Sequence, residues 1–566
     1  MLRGVNLNHY RWNILPPAPE KHLAATSGFS PLIAQLLYNR GLTEPAQLEA
    51  FLSADKRLAG DPSQLPDIEP AVARIYRALL SGETMAIYGD FDADGITGTA
   101  ILVQGLTSLG GKAVPYIPHR LTEGYGLNIT ALENLHRQGI SLVVTVDCGI
   151  TALPEVKRAN QLGLDIVITD HHSPLPEMPP AVATINPKRA DSSYAFSELT
   201  GAGVALKLLQ ALFQNLGKEG QEEELMDLAA IGTVADMAPL SGENRYLVKE
   251  GLKLMNTTPR LGIGEIISQA GLTPGNLSAE SISWTIAPRL NAAGRLAHAM
   301  TSYKLLMTES PQEARDLAVW LEEKNTERQK LTAKVWAIAR EQIVAQGITP
   351  MLVAADKDYP LGIAGLIAGR LAEEFYRPAI VVRTGETVSS GSGRSIPEFN
   401  IIKALTECRE LLSHFGGHSQ AAGFTLPTKN LPQLQEHLAR LATEQLADTD
   451  LRPQLDIDAE VALPDLSGDT FNTMQQLAPF GRGNPSPTFL SHRTEVVDCR
   501  TMGNGAQHLR LKLKQGGTVW DGVGFRLGSY LAEISPQLDI VYNLEIDSWG
   551  GKERLRLNMV DFAPAE

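Results

Sequence analysis

Three carboxylates stand at alternate positions in one short stretch of the chain. Asp90, Asp92 and Asp94 lie in the segment YGDFDADG at residues 88–95, directly after the apolar run 85–88. The apolar run indicates a short buried strand, and the glycines on either side of the carboxylates indicate a tight turn at its end. Carboxylates this close repel one another, and a bound cation relieves that repulsion. Because open α/β sheets build their sites at the ends of parallel strands, the pattern predicts a metal site there.

Three later segments also deliver acidic or imidazole side chains where an apolar element ends. They are the run 142–146 before Asp147, the run 165–169 before Asp170, His171 and His172, and the helix-like run 225–235 before Asp236. Carboxylates mixed with imidazole, without a cluster of thiolates, favour Mn²⁺ or Mg²⁺ over structural zinc. Two adjacent histidines point in different directions, so one can bind metal while the other meets the substrate.

These segments, in this order, resemble the motifs of the DHH phosphoesterase superfamily. The run at residues 170–172 resembles the signature that gives the superfamily its name, and other segments are similar to its remaining motifs: 89–95, 146–149 and 232–236. Within the superfamily, the chain resembles the RecJ family, bacterial exonucleases that degrade single-stranded DNA from the 5′ end. This resemblance covers nearly the whole chain and includes the segments 288–296, 391–395, 416–424 and 479–485.

The resemblance implies a site with two divalent cations, Mn²⁺ or Mg²⁺, that activate water and clamp a phosphodiester. The metal ligands implied in this way are Asp90, Asp92, Asp94, Asp147, His171 and Asp236. Asp92, Asp94 and His172 are the expected catalytic groups, with His172 contacting the scissile phosphate. Asp170 is expected to orient the imidazole of His171 from behind, as metal-bound imidazoles commonly require.

The segment 391–395 suits a terminal phosphate, because it combines glycine-rich backbone amides, hydroxyls and a guanidinium. The resemblance implies that Ser392 and Arg394 hold the 5′ phosphate, with Arg120 reaching it from across the cleft. Further substrate contacts implied in this way are Arg289, Asn291, Arg295 and His418. Two of these residues have an open alternative role. His418 could form a structural hydrogen bond instead, and Asn291 could cap a helix.

Composition bounds the class of protein. The 566 residues are too many for one core, and 43% hydrophobic with 20% charged residues is typical of globular chains. We expect no secretory signal, and no stretch approaches the roughly 20 apolar residues of a membrane span. Cys148, Cys408 and Cys499 have no metal-binding spacing and fit a reducing cytoplasm. The net charge of −14 argues against coating nucleic acid by bulk electrostatics, but allows one strand to thread a locally basic channel.

The order of periodic segments predicts an α/β fold with two α/β lobes and a C-terminal β-barrel. The proline-free segment 313–346 predicts one long helix, which either connects the lobes or belongs to the first. The resemblance implies DHH and DHHA1 lobes and an OB-fold. The expected boundaries are 1–75 for an N-terminal leader and helices, 76–255 for the DHH catalytic domain, 256–346 for a helical region with the connecting helix, 347–450 for the DHHA1 domain and 451–566 for the OB-fold domain.

The C-terminal region carries several large aromatic residues. They are Trp520, Phe525, Tyr530, Tyr542 and Trp549. Exposed aromatics on a barrel stack bases with about 1–3 kcal/mol each, whereas buried ones form the core. The sequence leaves both roles open for each of them.

The function implied by the resemblance is metal-dependent hydrolysis of single-stranded DNA in the 5′ to 3′ direction to nucleotide 5′-monophosphates, in DNA repair and recombination. Single-stranded DNA is the expected partner, with a helicase and a single-strand-binding protein as further partners. One alternative is a DHH-family phosphodiesterase that acts on short oligonucleotides or cyclic dinucleotides. Another is a catalytically inactive scaffold, against which all the acidic tips and both histidines argue.

Overall fold

The N-terminal segment is mostly helical. The computed structural model describes residues 10–120, 122–547 and 553–565. Its first elements are β1 (Arg11–Ile14), α1 (Glu20–Ala25), α2 (Pro31–Asn39), α3 (Pro45–Ser53) and α4 (Ile68–Ser81). Proline stands in the first turn of α2 and of α3, where its missing N–H costs no hydrogen bond, and Ser30 caps α2. These short helices precede the first lobe.

The first lobe is a five-stranded parallel sheet covered by helices, as the sequence predicts. Its elements are β2 (Thr84–Gly89), α5 (Ala93–Ser108), β3 (Lys112–Tyr116), α6 (Ile129–Arg137), β4 (Leu142–Val146), α7 (Leu153–Leu162), β5 (Asp165–Thr169), β6 (Ala183–Ile185), α8 (Gly201–Asn215), α9 (Met226–Ala235) and α10 (Gly242–Thr257). The strand order is β3-β2-β4-β5-β6, and every pair is parallel. The carboxyl ends of β2, β4 and β5 therefore lie side by side at one edge.

A single helix of 36 residues connects the two lobes. The helical region consists of α11 (Leu261–Gln269), α12 (Ala279–Ser281), a π-helical turn (Ile282–Ile286), α13 (Ala287–Leu296), α14 (Met300–Met307) and the long helix α15 (Pro311–Gln346). Ala314 and Leu321 of α15 belong to the core of the first lobe, whereas Ala339 and Ile343 belong to a core of the second lobe. The long helix is therefore a connector rather than an element of the first lobe alone.

The second lobe is a mixed sheet with helices on its faces. Its elements are β7 (Leu352–Asp356), α16 (Leu361–Phe375), β8 (Ala379–Arg383), β9 (Val388–Arg394), α17 (Ile401–Glu407), β10 (His414–His418), β11 (Ala421–Pro427) and α18 (Leu431–Leu446). The strand order is β10-β11-β9-β8-β7. The glycine-rich segment 391–395 was expected to offer flexible backbone amides for a phosphate. Residues 391–394 instead belong to β9, which is paired with β8 on one side and β11 on the other.

The C-terminal region is a closed β-barrel, which agrees with the predicted OB-fold. Its elements are β12 (Gln454–Ile457), β13 (Ala459–Glu460), α19 (Gly468–Gln475), β14 (Phe489–Met502), β15 (His508–Gln515), β16 (Thr518–Gly524), β17 (Gln537–Asp547) and β18 (Arg554–Pro564). The order β14-β15-β16-β18-β17 closes because β17 pairs again with β14. Closure leaves none of these five strands with an open edge.

The aromatic residues of the barrel have different surroundings. Tyr542 is completely buried, and Trp520 and Tyr530 pack partly buried against the barrel core. Phe525 is 46% exposed and is the most exposed of these four, although its ring packs against His508 and lies 5.7 Å from the guanidinium carbon of Arg556. Trp549 lies outside the described residues.

The two ends of the described chain pack against each other. β1 pairs in parallel with β12, and the Trp12 indole donates to Asp561 at 2.8 Å. Leu36 and Phe51 from the N-terminal helices share an apolar core with Phe489 of the barrel. The N-terminal helices therefore stabilise the barrel as well as leading into the first lobe. Among the described helices, none combines the length and apolar character needed to cross a bilayer.

A fully buried arginine ties three parts of the chain together. Arg245 on α10 donates to the carbonyl oxygens of Phe51 at 2.8 Å, Leu477 at 2.9 Å and Ala478 at 2.7 Å. Its guanidinium also lies 3.8 Å from the centroid of the Phe51 ring. Burial, with the nearby charge of Arg40, lowers the pKa of Arg245 to about 10. The buried guanidinium on the first lobe thus binds carbonyl groups of the N-terminal helices and of the segment that leads to the barrel.

We expect Arg245→Ala to lower the free energy of unfolding by about 3–5 kcal/mol, because three buried carbonyl groups lose their donor and a cavity forms. Urea unfolding followed by circular dichroism measures the change. Arg440→Ala is the control, since Arg440 is exposed and pairs only with Glu444 on its own helix. Equally small losses in both variants would contradict the tying role of Arg245.

Candidate metal centre

The acidic segment after β2 turns directly into α5. Asp92 caps this helix, because its Oδ1 accepts the N–H groups of Asp94 at 2.9 Å and Gly95 at 3.2 Å. Residue 95 has to be glycine, since a Cβ there would lie 2.6 Å from the backbone nitrogen of Asp90. The tight turn packs the three carboxylates of this segment together, with Asp90 and Asp94 buried.

The start of α8 supplies backbone donors to this cluster. The N–H groups of Gly201 and Ala202 donate to the two carboxylate oxygens of Asp94, at 2.7 and 2.9 Å. A Cβ on Gly201 would lie 2.4 Å from the Cβ of Asp147, so glycine allows this close approach. Because a helix N-terminus carries partial positive charge, the contact stabilises the negative charge of Asp94. The sequence analysis did not predict this contact.

Asp147 occupies a strained position at the end of β4. Its φ of 61° lies in the left-handed region, which Asp adopts more readily than most residues but still at a cost. Its Oδ1 lies 3.0 Å from Nε2 of His171, and Nδ1 of His171 lies 3.9 Å from Oδ2 of Asp236. Residues from β4, β5 and α9 therefore meet where the sequence predicts them to meet.

Three buried polar atoms of this cluster form no hydrogen bond within the described chain. They are Oδ1 of Asp90, and Oδ1 of Asp147 with Nε2 of His171, whose 3.0 Å contact lacks the geometry of a hydrogen bond. Such atoms are costly unless something else binds them. The candidate ligand atoms form three overlapping groups, each within 4.8 Å: Asp90, Asp92 and Asp147; Asp94, His171 and Asp236; Asp147, His171 and His172. This donor set fits Mn²⁺ or Mg²⁺, and the shared Asp147 suits a pair of adjacent cations.

Burial and mutual repulsion raise the pKa values of these carboxylates. Burial, then the charge of Asp92, raises the pKa of Asp94 to about 7. Burial, then the charges of Asp94 and Asp92, raises the pKa of Asp236 to about 8. The pKa values of Asp90 and Asp147 rise for the same reasons. Without cations, protons therefore neutralise part of the cluster, and a metal has to displace them.

The two adjacent histidines have opposite protonation. Burial, then the nearby charge of His172, lowers the pKa of His171 to about 3, so this imidazole is neutral and able to bind metal. For His172, burial acts in the same direction, but the hydrogen bond to Asp170 outweighs it and raises the pKa to about 9. Nδ1 of His172 lies 2.7 Å from Oδ1 of Asp170, and the ring stays partly exposed in the cleft.

The expectation that Asp170 orients the imidazole of His171 is wrong. The carboxylate of Asp170 accepts the backbone N–H groups of both histidines and, through its other oxygen, that of Ile150 at 2.9 Å. The same carboxylate contacts Nδ1 of His172, so Asp170 orients the ring of His172 instead of that of His171. His172 is therefore positively charged, and its side chain stays 44% exposed.

Arg120, Arg295 and Arg394, all predicted to bind substrate, lie close together beside the carboxylates. Burial, then the charges of Arg120 and Arg328, lowers the pKa of Arg295 to about 9. Burial, then the charge of Arg120, lowers the pKa of Arg394. Burial also lowers the pKa of Arg120, while the nearby charges of Asp90 and Asp92 act to raise it. The first lobe and the second lobe thus bring guanidinium groups to the same cleft.

These guanidinium groups have few protein partners. In the described chain, Arg295 donates to the carbonyl of Gly362 at 3.2 Å and Arg394 to that of Gly393 at 2.8 Å. Arg394 lies against α16, where a Cβ on Gly365 would come within 2.9 Å of its Nη2. Ser392 stands two residues before Arg394 on β9, so both side chains project from one face of the strand. The arrangement suits a phosphate group.

The other predicted substrate contacts have different surroundings. Arg289 pairs with Glu322 of the long helix at 2.5 Å, which favours a structural role over a substrate contact. Asn291 accepts the N–H of Ala93 at 2.8 Å in the first turn of α5, so the capping alternative describes its geometry. His418 accepts the N–H of Gln420 at 3.3 Å.

His418 also lies close to the cleft. Burial, then the charges of Arg394 and His172, lowers the pKa of this imidazole. The ring therefore forms a structural hydrogen bond and, at the same time, stands beside two groups expected to contact phosphate. Both roles considered from the sequence are compatible with its position.

Two residues at the cleft were not predicted. The hydroxyl of Tyr125 donates to the carbonyl of Asp147 at 3.0 Å and lies 3.2 Å from Nδ1 of His172. Arg328 of α15 donates to Asn325 at 2.8 Å, but its buried Nε has no partner in the described chain. The available signal for Arg328 was its position on the buried stripe of α15, where a charged residue is unusual.

Fold and site together define a phosphoesterase of the DHH type. The family model described as "DHH family, N-terminal domain" matches residues 84–233, and the "DHHA1 domain" model matches residues 348–444. The model described as "RecJ OB domain" matches residues 457–561. These three matches follow one another in the order of the two lobes and the barrel.

The chain belongs to the RecJ family. It is 38% identical over 563 residues to the single-stranded-DNA-specific exonuclease RecJ of Bacillus subtilis (strain 168), covering 98% of this chain and 71% of that protein. It is 33% identical to RecJ of Thermus thermophilus, covering 98% of this chain and 79% of that protein. The crystal structure of RecJ from T. thermophilus in complex with Mn²⁺ superimposes with a TM-score of 0.85 at 31% identity, over 98% of this chain and 80% of that chain.

We expect the affinity for Mn²⁺ to rise with pH between about 6 and about 8.5 and then to level off. The pKa values of Asp94 and Asp236, about 7 and about 8, leave both carboxylates partly protonated at the lower pH, so the metal has to displace protons there. Well above these pKa values, neither of these two carboxylates has a proton to displace. Titration calorimetry in two buffers of different ionisation enthalpy counts the protons released.

The proton count provides the decisive comparison. Proton release from Asp94 and Asp236 should be largest near pH 6, which is about one unit or more below both pKa values. It should become small near pH 9, which is about one unit or more above both. An affinity that does not change with pH, with no release at any pH, would remove Asp94 and Asp236 from the metal centre.

Proposed function

We propose that the protein is a metal-dependent exonuclease that hydrolyses single-stranded DNA in the 5′ to 3′ direction to nucleotide 5′-monophosphates. The observation that carries this proposal is the pairing of a carboxylate cluster with guanidinium groups from two lobes. Arg120 and Arg394 stand near each other beside the cluster, so a terminal phosphate and the next phosphodiester can be bound together. The family supports the same activity, since its members matched here are named single-stranded-DNA-specific exonucleases.

The proposed metal ligands are the six carboxylate and imidazole groups predicted from the sequence: Asp90, Asp92, Asp94, Asp147, His171 and Asp236. Their donor atoms and the orphaned buried atoms among them support this assignment. When bound, two divalent cations lower the pKa of water and neutralise charge on the reacting phosphate. Mn²⁺ and Mg²⁺ are both candidates, since RecJ of T. thermophilus has been crystallised in complex with each.

The remaining residues hold the substrate in register with that cluster. Ser392 and Arg394 bind the 5′ phosphate together with Arg120. His172, kept protonated by Asp170, donates from Nε2 to an oxygen of the scissile phosphate. Because one nucleotide separates the two phosphates, the reaction releases one nucleotide with its 5′ phosphate at each step. Polarity then follows from the position of the phosphate pocket relative to the carboxylates.

We assign the domain roles at the boundaries expected from the sequence: DHH catalysis to 76–255, phosphate binding to the DHHA1 lobe at 347–450, and strand guidance to the OB-fold at 451–566. Phe525, exposed on the barrel, is the candidate for stacking a base. A helicase and a single-strand-binding protein are the proposed partners in DNA repair and recombination. A cytoplasmic location is supported by three free cysteines, two of them buried.

The alternative of a phosphodiesterase for short oligonucleotides or cyclic dinucleotides is less favoured. The chain matches RecJ of Dickeya dadantii (strain 3937) over 93% of its own length and 95% of that protein, which includes the barrel. A barrel and a long connecting helix are superfluous for a substrate that fills only the metal cleft. The scaffold alternative is less favoured because the ligand cluster is complete.

We expect Mn²⁺-dependent, stepwise loss of nucleotides from the 5′ end of single-stranded DNA labelled at either end, and no digestion of duplex DNA. Asp147→Asn should reduce the rate by at least about a hundredfold, because an amide neither carries the charge nor bridges cations. Asn tolerates a positive φ, so the strained turn at Asp147 should still fold. Gel analysis of timed samples measures both.

Asp316→Asn is the control, since Asp316 is exposed on the long helix and accepts only from Gln312. It should leave the rate unchanged. Cleavage of a dinucleotide alone, with the long strand intact, would move the protein to the small-substrate phosphodiesterases. Full activity of Asp147→Asn with saturating metal would remove Asp147 from the metal centre.

We expect Arg394→Ala to lower kcat/KM for a 5′-phosphorylated strand by about tenfold or more, while a strand with a 5′ hydroxyl changes little. The reason is that the guanidinium contacts the terminal phosphate and not the reacting one. Arg383→Ala is the control, because Arg383 is exposed at the end of the neighbouring strand β8. Equal losses on both substrates would contradict the assignment of Arg394 to the terminal phosphate.

A further inference from the structure

A lysine that no motif predicted is anchored beside His172. Asn186, which is completely buried, donates from its side chain to the carbonyl of His172 at 2.8 Å. Its Oδ1 accepts the backbone N–H of Lys188 at 2.8 Å. Asn186 therefore links the position of Lys188 to that of His172.

The loop that precedes the barrel, residues 479–485 (the pre-barrel loop), packs on the segment that follows Asp236. The carbonyl of Arg482 accepts the N–H of Leu240 at 2.7 Å, and the Arg482 side chain donates to the carbonyl of Met237 at 3.3 Å. Gly483, at a φ of 75°, allows this contact, because a Cβ there would lie 3.0 Å from Pro239. The C-terminal region thus places the guanidinium of Arg482 against Met237, the residue that follows the candidate metal ligand Asp236.

Lys188 and Arg482 both lie close enough to His418 for their charges to act on it, although they come from different parts of the chain. Both lower the pKa of His418, after burial and together with Arg394 and His172. In the residues that the structure describes, neither Lys188 nor Arg482 forms an ion pair, and Arg482 is exposed. Two cations without carboxylate partners beside a metal cleft have the composition of a phosphate site.

Lys188 and Arg482 are separate from the arginines assigned to the 5′ phosphate. Lys188 is held next to His172 through Asn186, and Arg482 is held next to Asp236 through the carbonyl of Met237. A strand whose first phosphate is bound by Arg394 and whose second lies over the carboxylates has a third phosphate for which these two cations are available.

We propose that Lys188 and Arg482 form a phosphate-binding subsite for the DNA strand, occupied by the phosphodiester that follows the scissile one. This inference rests on the proposed exonuclease function and extends it, because it gives the pre-barrel loop a direct contact with substrate. The C-terminal region would then contribute to binding within the cleft and not only along the barrel. The subsite recognises charge on the backbone and is independent of base sequence.

The experiment compares three substrates with a 5′ phosphate: a dinucleotide, a trinucleotide, and a trinucleotide whose second internal linkage is an uncharged methylphosphonate. Lys188→Ala, Arg482→Ala and the double variant are assayed in the full-length protein with Mn²⁺. On the trinucleotide, each single variant should lose about tenfold or more in kcat/KM. On the dinucleotide, which lacks the phosphodiester concerned, all variants should match the unsubstituted protein.

The methylphosphonate separates contact from structure. It should slow the unsubstituted protein about as much as the double variant is slowed on the ordinary trinucleotide, and it should add no further loss to the double variant. Arg482→Lys should retain part of the activity, because it keeps the charge. Lys157→Ala and Arg452→Ala are matched controls, since both residues are exposed and, within the described part of the chain, form ion pairs only with Glu177 and Asp450, respectively.

Two results would overturn the subsite: equal losses on the dinucleotide and the trinucleotide, or no loss on the trinucleotide. If the unsubstituted protein does not cleave the dinucleotide, the comparison of the two trinucleotides decides in the same way. A protein that degrades no single-stranded DNA at all would instead refute the proposed function. Melting temperatures of all variants exclude unfolding as the cause of a loss.

Discussion

The crowding of buried carboxylates at one edge of a parallel sheet is the constraint on which this structure depends. Burial and mutual repulsion raise the pKa values of Asp90, Asp94, Asp147 and Asp236. Such a cluster is tolerable only if other groups offset its charge. The N-terminus of α8 donates two amides to Asp94, and the orphaned oxygens point to cations. The fold therefore creates an electrostatic cost that metal binding relieves.

The same constraint explains why the cleft is built from distant parts of the chain. The first lobe supplies mostly negative charge at this edge, so a substrate with phosphates needs positive charge from elsewhere. Arg394 comes from the second lobe, Arg328 from the connecting helix and Arg482 from the loop before the barrel. The helix of 36 residues and the buried Arg245 hold these parts in fixed positions. Overall acidity and local phosphate binding are therefore compatible.

Sequence reasoning succeeded where chemistry is local and failed where it depends on packing. The six ligands stand at the ends of apolar runs, and parallel strands bring such ends together. The partner of Asp170 was predicted wrongly, because two adjacent imidazoles differ only in how the turn directs them. The free amides expected in residues 391–395 are used by strand pairing, since glycine-rich segments form strands when both neighbours are available. The pairing of Arg289 with Glu322 of the long helix was not predicted, because these residues are distant in the sequence.

The sequence by itself determined the two α/β lobes, one long helix and the barrel, and its resemblance to the RecJ family implied the candidate metal ligands. The lobes, the helix and the barrel follow from periodicity within short segments, which the chain carries wherever it folds. Only the tertiary structure decided which imidazole is neutral and which is protonated, and which arginines reach the cleft unpaired. Those outcomes depend on burial and on charges brought from hundreds of residues away. Lys188 and Arg482 both come near His418 for that reason. Lys188 lies in no motif, and the motif at residues 479–485 does not indicate where Arg482 lies in the fold.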